Sequence, residues 1–535
     1  MNKETLLNEV LAQMPRLLGL LDRNPVSSTF GCFDRQYWHY NTVDFSCARS
    51  QEAVLTLALL YELKHKKNPY YKNKLVLEWI KGALVFWTKI QENNGSFNEW
   101  YPKENSFVAT AFTSYAISEA LLVLDKVLDN GIKRRIIFSL EKAAKFLLDK
   151  HEYQAQNQES GAAIALYNIY LLTRKRKYLK ASNNKIKFIA NNQTKEGWFS
   201  EYGGADVGYL SLAVDYLSKL HKKSKNPRIL PIIKKSTEFL SYFIHPNLTN
   251  GGEYGSRNTE YLIPYGFAYL ARNNKNAQSI LYHILSSINS KSTISPFSLD
   301  DRYLTYITYT WLQAYSEIEY KIKKGKPRHL ENFRKNFSSA RIFIHSDPNF
   351  YLILNYNKGG SLKLFFKKTG KILYDSGIWA RTKNGGLTSS WLDPETSFSI
   401  KDNEISITSK LWSVKNNVLN PKKTIFMRLF TGTIGRNEKI GLKIKDVLRK
   451  KMITKTKPSN ILHKRKIILS KNHIEIKDSL INSKELRKIY FGLKASQIFI
   501  PSSRYFQVSE LKSASEIYNN RGRNRINFSR RFNRN

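Results

Sequence analysis

The sequence predicts an α+β multidomain protein, in which an N-terminal array of helical hairpins precedes a C-terminal antiparallel β-sandwich. Apolar residues recur at intervals of three and four from residue 51 to about residue 321, which is typical of amphipathic helices. After residue 340 the interval becomes two, which indicates strands with one buried face. A loop sequence also repeats within the helical half, as in closed or stacked helical arrays.

The chain has 535 residues, which is more than one hydrophobic core usually supports. Around residues 323–328 the composition turns basic and polar, so we expect a boundary there. The predicted divisions are residues 1–325 for the helical array, 326–340 for a linker, 341–510 for the sandwich and 511–535 for a basic tail. The arginine-rich tail is predicted to be disordered.

The first 30 residues read as one amphipathic helix that ends near Asn24 and Pro25. Further segments with the helical period follow one another as hairpins. They are Ala53–Leu63, Leu75–Ile90, Val108–Leu124, Ile136–Leu148, Ala162–Leu172, Ile186–Asn191, Val207–Leu220, Ile229–Ile244, Tyr261–Leu270, Ile280–Ile288 and Tyr303–Ile318.

Strand signals begin after residue 340 and are separated by Asn-Gly, Gly-Gly and Lys-Asn turns. The predicted strands lie at Arg341–His345, Tyr351–Asn355, Ser361–Phe365, Glu404–Thr408, Lys466–Leu469 and His473–Ile476. Alternation with short turns favours an antiparallel sandwich, which we expect to end near Phe506.

Two loops share the order glycine, variable residue, phenylalanine, polar residue, glutamate and aromatic residue, and a third loop is a shortened version. They contain Gly95–Tyr101, Gly197–Gly203 and Gly251–Tyr254. Equivalent loops of an array lie on one face, so the glutamates and aromatic residues should share a rim. The plainer alternative is that the aromatic residues only pack the hairpins together.

The formal net charge is +44, from 87 Lys+Arg against 43 Asp+Glu. Such a charge favours polyanionic partners, although a Lys- and Asn-rich composition also follows from an AT-rich genome. Two cysteines are too few for a disulfide framework or a cysteine metal site. No signal peptide or membrane-spanning run is evident, so a cytoplasmic location is the default, with export by another route left open.

Several segments together resemble the heparinase II/III-like polysaccharide lyases. They are Trp38-His39-Tyr40, the aromatic–glutamate loops, and the loop from Gly252 to Asn258. The resemblance implies an α/α toroid followed by a β-sandwich. It also implies β-elimination on an acidic, uronate-containing polysaccharide or oligosaccharide.

Such a reaction needs a group that neutralises the substrate carboxylate, a base for the C5 proton and an acid for the leaving oxygen. Tyr254 is the candidate base because Arg257 and Asn258 follow it, and a phenol base needs a cation nearby. His39 is the candidate second proton carrier, and Glu201 completes the catalytic set. In the plainer reading Arg257 pairs with a neighbouring glutamate, while Tyr254 and His39 are structural.

Stacking and polar side chains on the same loops are candidate substrate-binding residues. They are Trp38, Tyr40, Glu99, Trp100, Trp198, Tyr202, Asp206 and Glu253. Helix capping is a competing explanation for Asp206. No metal-ligand spacing stands out, so neither a metal nor another cofactor is expected.

Two other functions compete with the lyase. A glycoside hydrolase would use a pair of carboxylates, for which Glu99, Glu201, Asp206, Glu253, Asp300 and Asp301 are available. A glycan-binding or assembly protein would use the same cleft without catalysis. Specific nucleic-acid binding is not expected because no nucleic-acid-binding module is recognisable. The oligomeric state stays open.

Overall fold

The computed structural model describes residues 1–148, 150–390, 393–414, 420–433, 440, 457–470, 473–492, 511 and 516–533. The helical half contains α1 Glu4–Gly19, α2 Arg35–Trp38, α3 Ala53–Glu62, α4 Lys74–Lys89, α5 Phe107–Val123, α6 Asn130–Leu147, α7 Asn157–Thr173, α8 Arg176–Asn192, α9 Val207–Ser224, α10 Ile229–Leu240, α11 Tyr265–Leu270, α12 Lys275–Asn289, α13 Asp301–Ile307 and α14 Tyr309–Glu317. The helical period located most of these helices.

Contacts between the helices close into a ring, which confirms the predicted toroid. The inner ring runs α3, α5, α7, α9, α11 and α14, and α14 returns to α3. Each inner helix packs against an outer one, in the order α4, α6, α8, α10, α12 and α1. Inner helices such as α5 and α7 are buried on nearly every side, whereas outer helices such as α8 have one apolar face.

Two helix boundaries differ from the prediction. The first helix ends at Gly19 rather than near Pro25, and Asp22 then accepts the Thr29 hydroxyl in a loop. The segment before Tyr265 is a loop although it is apolar, because Pro264 lacks the amide that a continuing helix needs. Both errors came from apolar residues that are buried in loops.

Strands form two antiparallel sheets, as predicted. The strands are β1 Phe333–Phe337, β2 Ile342–Ser346, β3 Phe350–Asn355, β4 Ser361–Phe366, β5 Ile372–Asp375, β6 Trp379–Thr382, β7 Leu387–Ser389, β8 Ser397–Lys401, β9 Glu404–Val414, β10 Pro458–Leu469, β11 His473–Ile481, β12 Leu486–Phe491, β13 Glu516–Asn519 and β14 Arg525–Asn533. One sheet has the order β1-β2-β3-β4-β5, and the other has the order β13-β12-β6-β7-β9-β10-β11-β14 with β8 beside β9.

The molecule therefore has three layers. One face of the five-stranded sheet joins the toroid core through residues such as Ile344, Tyr351 and Phe365. Its other face packs against the nine-stranded sheet, where Leu352 and Leu364 meet Ile407 and Ile476. The outer face of the nine-stranded sheet is thus the side away from the toroid.

Three features of the second half differ from the prediction. Strand β1 lies within residues assigned to the linker. The predicted disorder of the tail is wrong for β14, which pairs with β11 along its whole length. A helix, α15, spans Pro421–Gly432 where only strands were expected. The predicted sandwich end near Phe506 lies outside the described residues.

Candidate functional site

One rim of the toroid collects all the loops that lead from an outer helix to the next inner helix. These loops include residues 90–106, 150–156, 193–206 and 241–264. The repeated loops therefore lie on the same rim, as the sequence suggested. Inner helices begin at this rim, so the positive ends of their dipoles face it and favour an anionic ligand.

Arg257 lies on this rim, in the loop between α10 and α11. Its guanidinium carbon is 4.4 Å from the ring centre of Tyr202. The side chain is only 9% exposed, and its Nε has no acceptor among the described residues. Burial opposes the charge of Arg257, but Tyr209, Tyr202 and Asp206 outweigh it and raise the pKa. An unpaired buried N–H is costly, so this donor suits a ligand carboxylate.

Phenols surround this guanidinium. Tyr202, Tyr209 and Tyr303 are all half-buried, so each retains access to the rim surface. Tyr202 has a φ of 54°, a left-handed conformation that is costly for a tyrosine. Burial, with Tyr303 and Tyr261 nearby, raises the pKa of Tyr209 well above its ordinary value, although Arg257 opposes this. Tyr209 is therefore a neutral proton donor at neutral pH.

Glu201 joins three rim loops. Its carboxylate accepts the backbone N–H of Asn157 at 3.0 Å and the side-chain amide of the same residue at 2.9 Å. Its carbonyl accepts the Ser256 hydroxyl at 2.7 Å. Burial raises the pKa of Glu201 well above its usual range, against the bonds from Asn157. Its position supports a scaffold role. The predicted catalytic role is not supported, because only 1% of Glu201 is exposed and a ligand cannot reach its carboxyl group.

Asp206 caps a helix, which the sequence analysis gave as the alternative to substrate binding. Its Oδ1 accepts the Tyr209 N–H at the start of α9, and its Oδ2 accepts the Arg257 N–H at 3.0 Å. It also accepts the Thr259 hydroxyl. A Cβ on Gly208 would lie 2.5 Å from that hydroxyl oxygen, so the two loops pack at a distance that only glycine permits. Asp206 thus fixes Arg257 and Tyr209 relative to each other.

A second group of charges lies next to the Arg257 cluster, because Arg302 and Tyr303 are consecutive on α13. Arg302 is 3.5 Å from Glu99 and lies 3.6 Å over the Trp100 ring. Glu99 also pairs with Arg49 at 3.7 Å. Trp100 is 58% exposed, and its predicted contact with a sugar face stays a prediction. The predicted contact of buried Glu99 with substrate stays a prediction.

Tyr254 lies in the core and not on the rim. It is fully buried, its ring stacks on Phe243, and its hydroxyl is 2.9 Å from Nε2 of His245. Burial raises its pKa well above the ordinary value. A glycan cannot reach this phenol, so the accessible phenols beside Arg257 replace Tyr254 as candidates for proton transfer.

Glu253 and Trp198 face the sandwich. Lys363 of β4 lies 3.3 Å from Glu253, and the indole nitrogen of Trp198 donates to Ser339 after β1. Both residues are nearly buried. Their positions indicate that they join the two domains, and the predicted substrate contacts are not accessible there.

The Trp38–Tyr40 segment lies in the connection from α1 to α3. The Trp38 indole donates to the Leu20 carbonyl at 2.8 Å, and His39 and Tyr40 are exposed. Asp34, at the start of α2, accepts the Cys47 N–H at 2.7 Å. Burial raises the pKa of Asp34, and nearby Arg302 opposes this shift. The segment is therefore nearer to the Arg302 group, and no described contact joins His39 to Arg257.

The sandwich holds the loop that carries Arg257. Lys358, in the turn after β3, donates to the carbonyls of Glu253 and Gly255 and to Oδ1 of Asn258, at 2.7, 3.0 and 2.7 Å. Asn355 donates to the Tyr254 carbonyl at 2.7 Å. Asn258 is thus engaged with Lys358 through its side-chain oxygen. The sandwich accordingly acts as a support for the site.

We expect Lys358→Met to lower kcat/KM about 10- to 100-fold, since the loop loses up to three hydrogen bonds of about 1 kcal/mol each. Lys368→Met, an exposed lysine of the same sheet, is the matched control. Steady-state kinetics on the cleaved glycan measures the effect. Equal kinetics for the two variants would show that Lys358 does not position the loop.

The same lysine predicts a pH dependence. Burial lowers the pKa of Lys358 to about 8, although Glu253 and Asp206 oppose the shift. Above that pH the neutral amine donates two hydrogen bonds instead of three, so the loop loosens and activity falls. Because the folded pKa is lower than the unfolded one, this group adds stability as pH rises, so Tm should not fall with activity. Lys358→Arg should remove the decline.

Several site residues were missed by the sequence analysis. Tyr209 and Tyr303 fit the apolar stripes of α9 and α13, so the sequence analysis treated them as packing residues and did not select them as site residues. Gln156 and Asn157 stand in a run of amides at the start of α7, and among the described residues the buried side-chain oxygens of three glutamines there, Gln154, Gln156 and Gln158, have no hydrogen-bond partner. That run of amides ahead of a helix was a usable signal.

Among the described residues, no group of three or more His, Cys, Asp and Glu side chains could hold a metal ion. In the same part of the chain, no helix is long and apolar enough to cross a bilayer.

Comparisons with known proteins relate this α/α toroid and its β-sandwich to proteins of known family and structure. Residues 39–262 match the family model of the ulvan lyase N-terminal domain. No curated protein sequence matches the chain. The matched residues include Tyr202, Tyr209 and Arg257.

Solved structures share the architecture at low identity. A chondroitin AC lyase of Streptomyces coelicolor A3, in complex with chondroitin sulphate, has a TM-score of 0.57 and 10% identity over 91% of this chain and 68% of that chain. A heparinase III has a TM-score of 0.46 and 11% identity over 90% and 76%. The family match and the common fold confirm the predicted resemblance to heparinase-like polysaccharide lyases.

Proposed function

We propose that the protein is a polysaccharide lyase that cleaves an acidic, uronate-containing glycan by β-elimination. The observation that carries the proposal is the Arg257 guanidinium, which is buried, has no acceptor for Nε within the described part of the chain and lies against accessible phenols. The family match to a lyase domain and the toroid fold support it. We assign the steps of this reaction to residues of the rim.

Arg257 pairs with the substrate carboxylate and withdraws electron density from it. This makes the neighbouring C5–H acidic enough to lose its proton, since charge that develops on the carboxylate is stabilised in place. The electron pair of the C5–H bond forms a C4–C5 double bond, and the C4–O bond breaks. The products are an unsaturated uronate and a free hydroxyl on the other sugar.

Two phenols can carry the protons. Tyr202, stacked on the cation of Arg257, is assigned as the base because a nearby positive charge stabilises a phenolate. Tyr209, whose raised pKa keeps it protonated, is assigned as the acid that protonates the leaving oxygen. Asp206 holds both elements through its bonds to the N–H groups of Tyr209 and Arg257.

The test is product chemistry on a panel of acidic glycans that includes ulvan, chondroitin sulfate, heparin, alginate and polygalacturonate. We expect absorbance near about 232 nm, the signal of an unsaturated uronate, with at least one of them. New reducing ends without this signal would identify a hydrolase. Binding without either product would identify a non-catalytic glycan-binding protein.

The hydrolase alternative is weaker because its carboxylates are occupied. Glu201 and Asp206 are each 1% exposed and bonded within the rim loops, and Glu99 is 5% exposed between two arginines. A hydrolase needs two carboxyl groups that reach the glycosidic bond from opposite sides. These three carboxylates do not offer such a pair.

A further inference from the structure

The outer face of the nine-stranded sheet is basic and polar and lies on the side of the molecule away from the catalytic rim. Outward positions alternate with buried ones along β10 and β11. Lys464, Lys466 and Lys477 on these strands and Arg525 on β14 are all exposed. They line a shallow depression of about 460 Å³.

The strand register arranges polar groups in rows across this face. Lys464 is paired with Thr408 on β9 and with Ser479 on β11, and Ser479 is paired with Asn527 on β14. Neighbouring strands are about 4.8 Å apart, so Thr408, Lys464 and Asn527 present a hydroxyl, an ammonium and an amide along one row, with the buried hydroxyl of Ser479 between the last two. Such groups bind the hydroxyl, carboxylate and sulfate oxygens of an extended glycan.

The next row contains a like-charge pair. Lys466 and Lys477 are direct cross-strand partners, which is unfavourable by itself. Each has one carboxylate, Glu404 at 2.7 Å and Glu475 at 3.2 Å. Within the described part of the chain, no carboxylate pairs with Lys464 or Arg525. The face therefore retains an excess of positive charge that an anion would neutralise.

We propose that this face, the outer β-face, is a second binding surface for the acidic polysaccharide on which the toroid acts. The inference rests on the proposed function only for the choice of polymer. A long chain held at the outer β-face keeps its free segments near the rim, which raises their effective concentration there. Oligosaccharides too short to reach both places gain nothing.

The composition of the face favours a glycan over nucleic acid. Surfaces that bind single-stranded nucleic acid stack bases on aromatic side chains. Here the outward row consists of hydroxyl, amide and ammonium groups, and the aromatic Phe528 packs against Phe491 in the core at 4.2 Å between ring centres. Hydroxyl- and amide-lined basic surfaces suit sugar polymers.

The experiment compares the full-length protein with a variant that carries Lys464→Gln, Lys466→Gln and Lys477→Gln. A second triple variant, with Lys64→Gln, Lys66→Gln and Lys126→Gln, removes the same charge from exposed positions in the toroid. Affinity electrophoresis in gels that contain chondroitin sulfate, heparin or neutral dextran measures binding. The rate of turnover of a tetrasaccharide of the cleaved glycan measures the activity of the site on the rim.

We expect the outer β-face variant to bind the acidic polymers about tenfold more weakly than the control variant, with unchanged tetrasaccharide turnover. Equal affinities of the two variants would overturn the proposal, and so would a parallel loss of tetrasaccharide turnover. An equal loss of affinity for a DNA duplex would overturn the choice of a glycan. If no glycan is cleaved but the binding difference persists, only the proposed lyase activity fails.

Discussion

Arg257→Ala should reduce kcat/KM about 10²- to 10³-fold while the protein stays folded. The guanidinium neutralises the carboxylate as negative charge spreads onto it, and loss of one such donor typically costs that factor. Arg257→Lys should recover only part of the rate. An ammonium keeps the charge but not the planar group that stacks on Tyr202 and presents Nε. Formation of the unsaturated product measures both variants.

A control and a rescue make this prediction specific. Arg134→Ala removes an exposed arginine from the outer helix α6 and should leave the kinetics unchanged. Added guanidinium at low millimolar concentration should partly restore Arg257→Ala, because the truncated side chain leaves a cavity of the right shape. Full activity of Arg257→Ala would remove this residue from the reaction. Low activity with a lowered Tm and no rescue would make it structural.

Periodicity located the helices and the sheets because burial of one face is a local pattern in the sequence. It failed where apolar residues are buried for another reason. Pro264 delays the start of the helix that was predicted from Tyr261, and in β14 one inward position is the buried Arg530, which hides the alternation. Both cases required knowledge of the neighbouring strand or loop.

The rim was predictable, but the side chains that reach it were less so. Repeated loops correctly placed Tyr202 and Trp100 near one face, because equivalent connections in a closed ring must share a side. Which residue of a loop points outward depends on backbone conformation. The left-handed φ of Tyr202 is an example, and Tyr254 turned into the core towards His245. The periodicity of apolar residues in the sequence contains no information on which loop side chain points outward.

Tyr202→Phe and Tyr209→Phe should each lower kcat about 10²- to 10⁴-fold with little change in KM. Phenylalanine keeps the ring and, at position 202, the contact with the Arg257 guanidinium at 4.4 Å. Only the hydroxyl that moves a proton is lost. Tyr71→Phe, in a loop at the opposite rim, is the matched control and should be silent.

A substrate with a better leaving group at C4, such as an aryl ether, separates the two roles. Departure of an aryl oxide needs no proton, so the acid becomes dispensable while the base does not. Tyr209→Phe should then approach the wild-type rate, whereas Tyr202→Phe should stay slow. The reverse pattern would exchange the two assignments. Equal rescue of both variants would exclude Tyr202 as the base. The raised pKa of Tyr209 argues against an exchange of the two roles, because a phenol that holds its proton is a poor base.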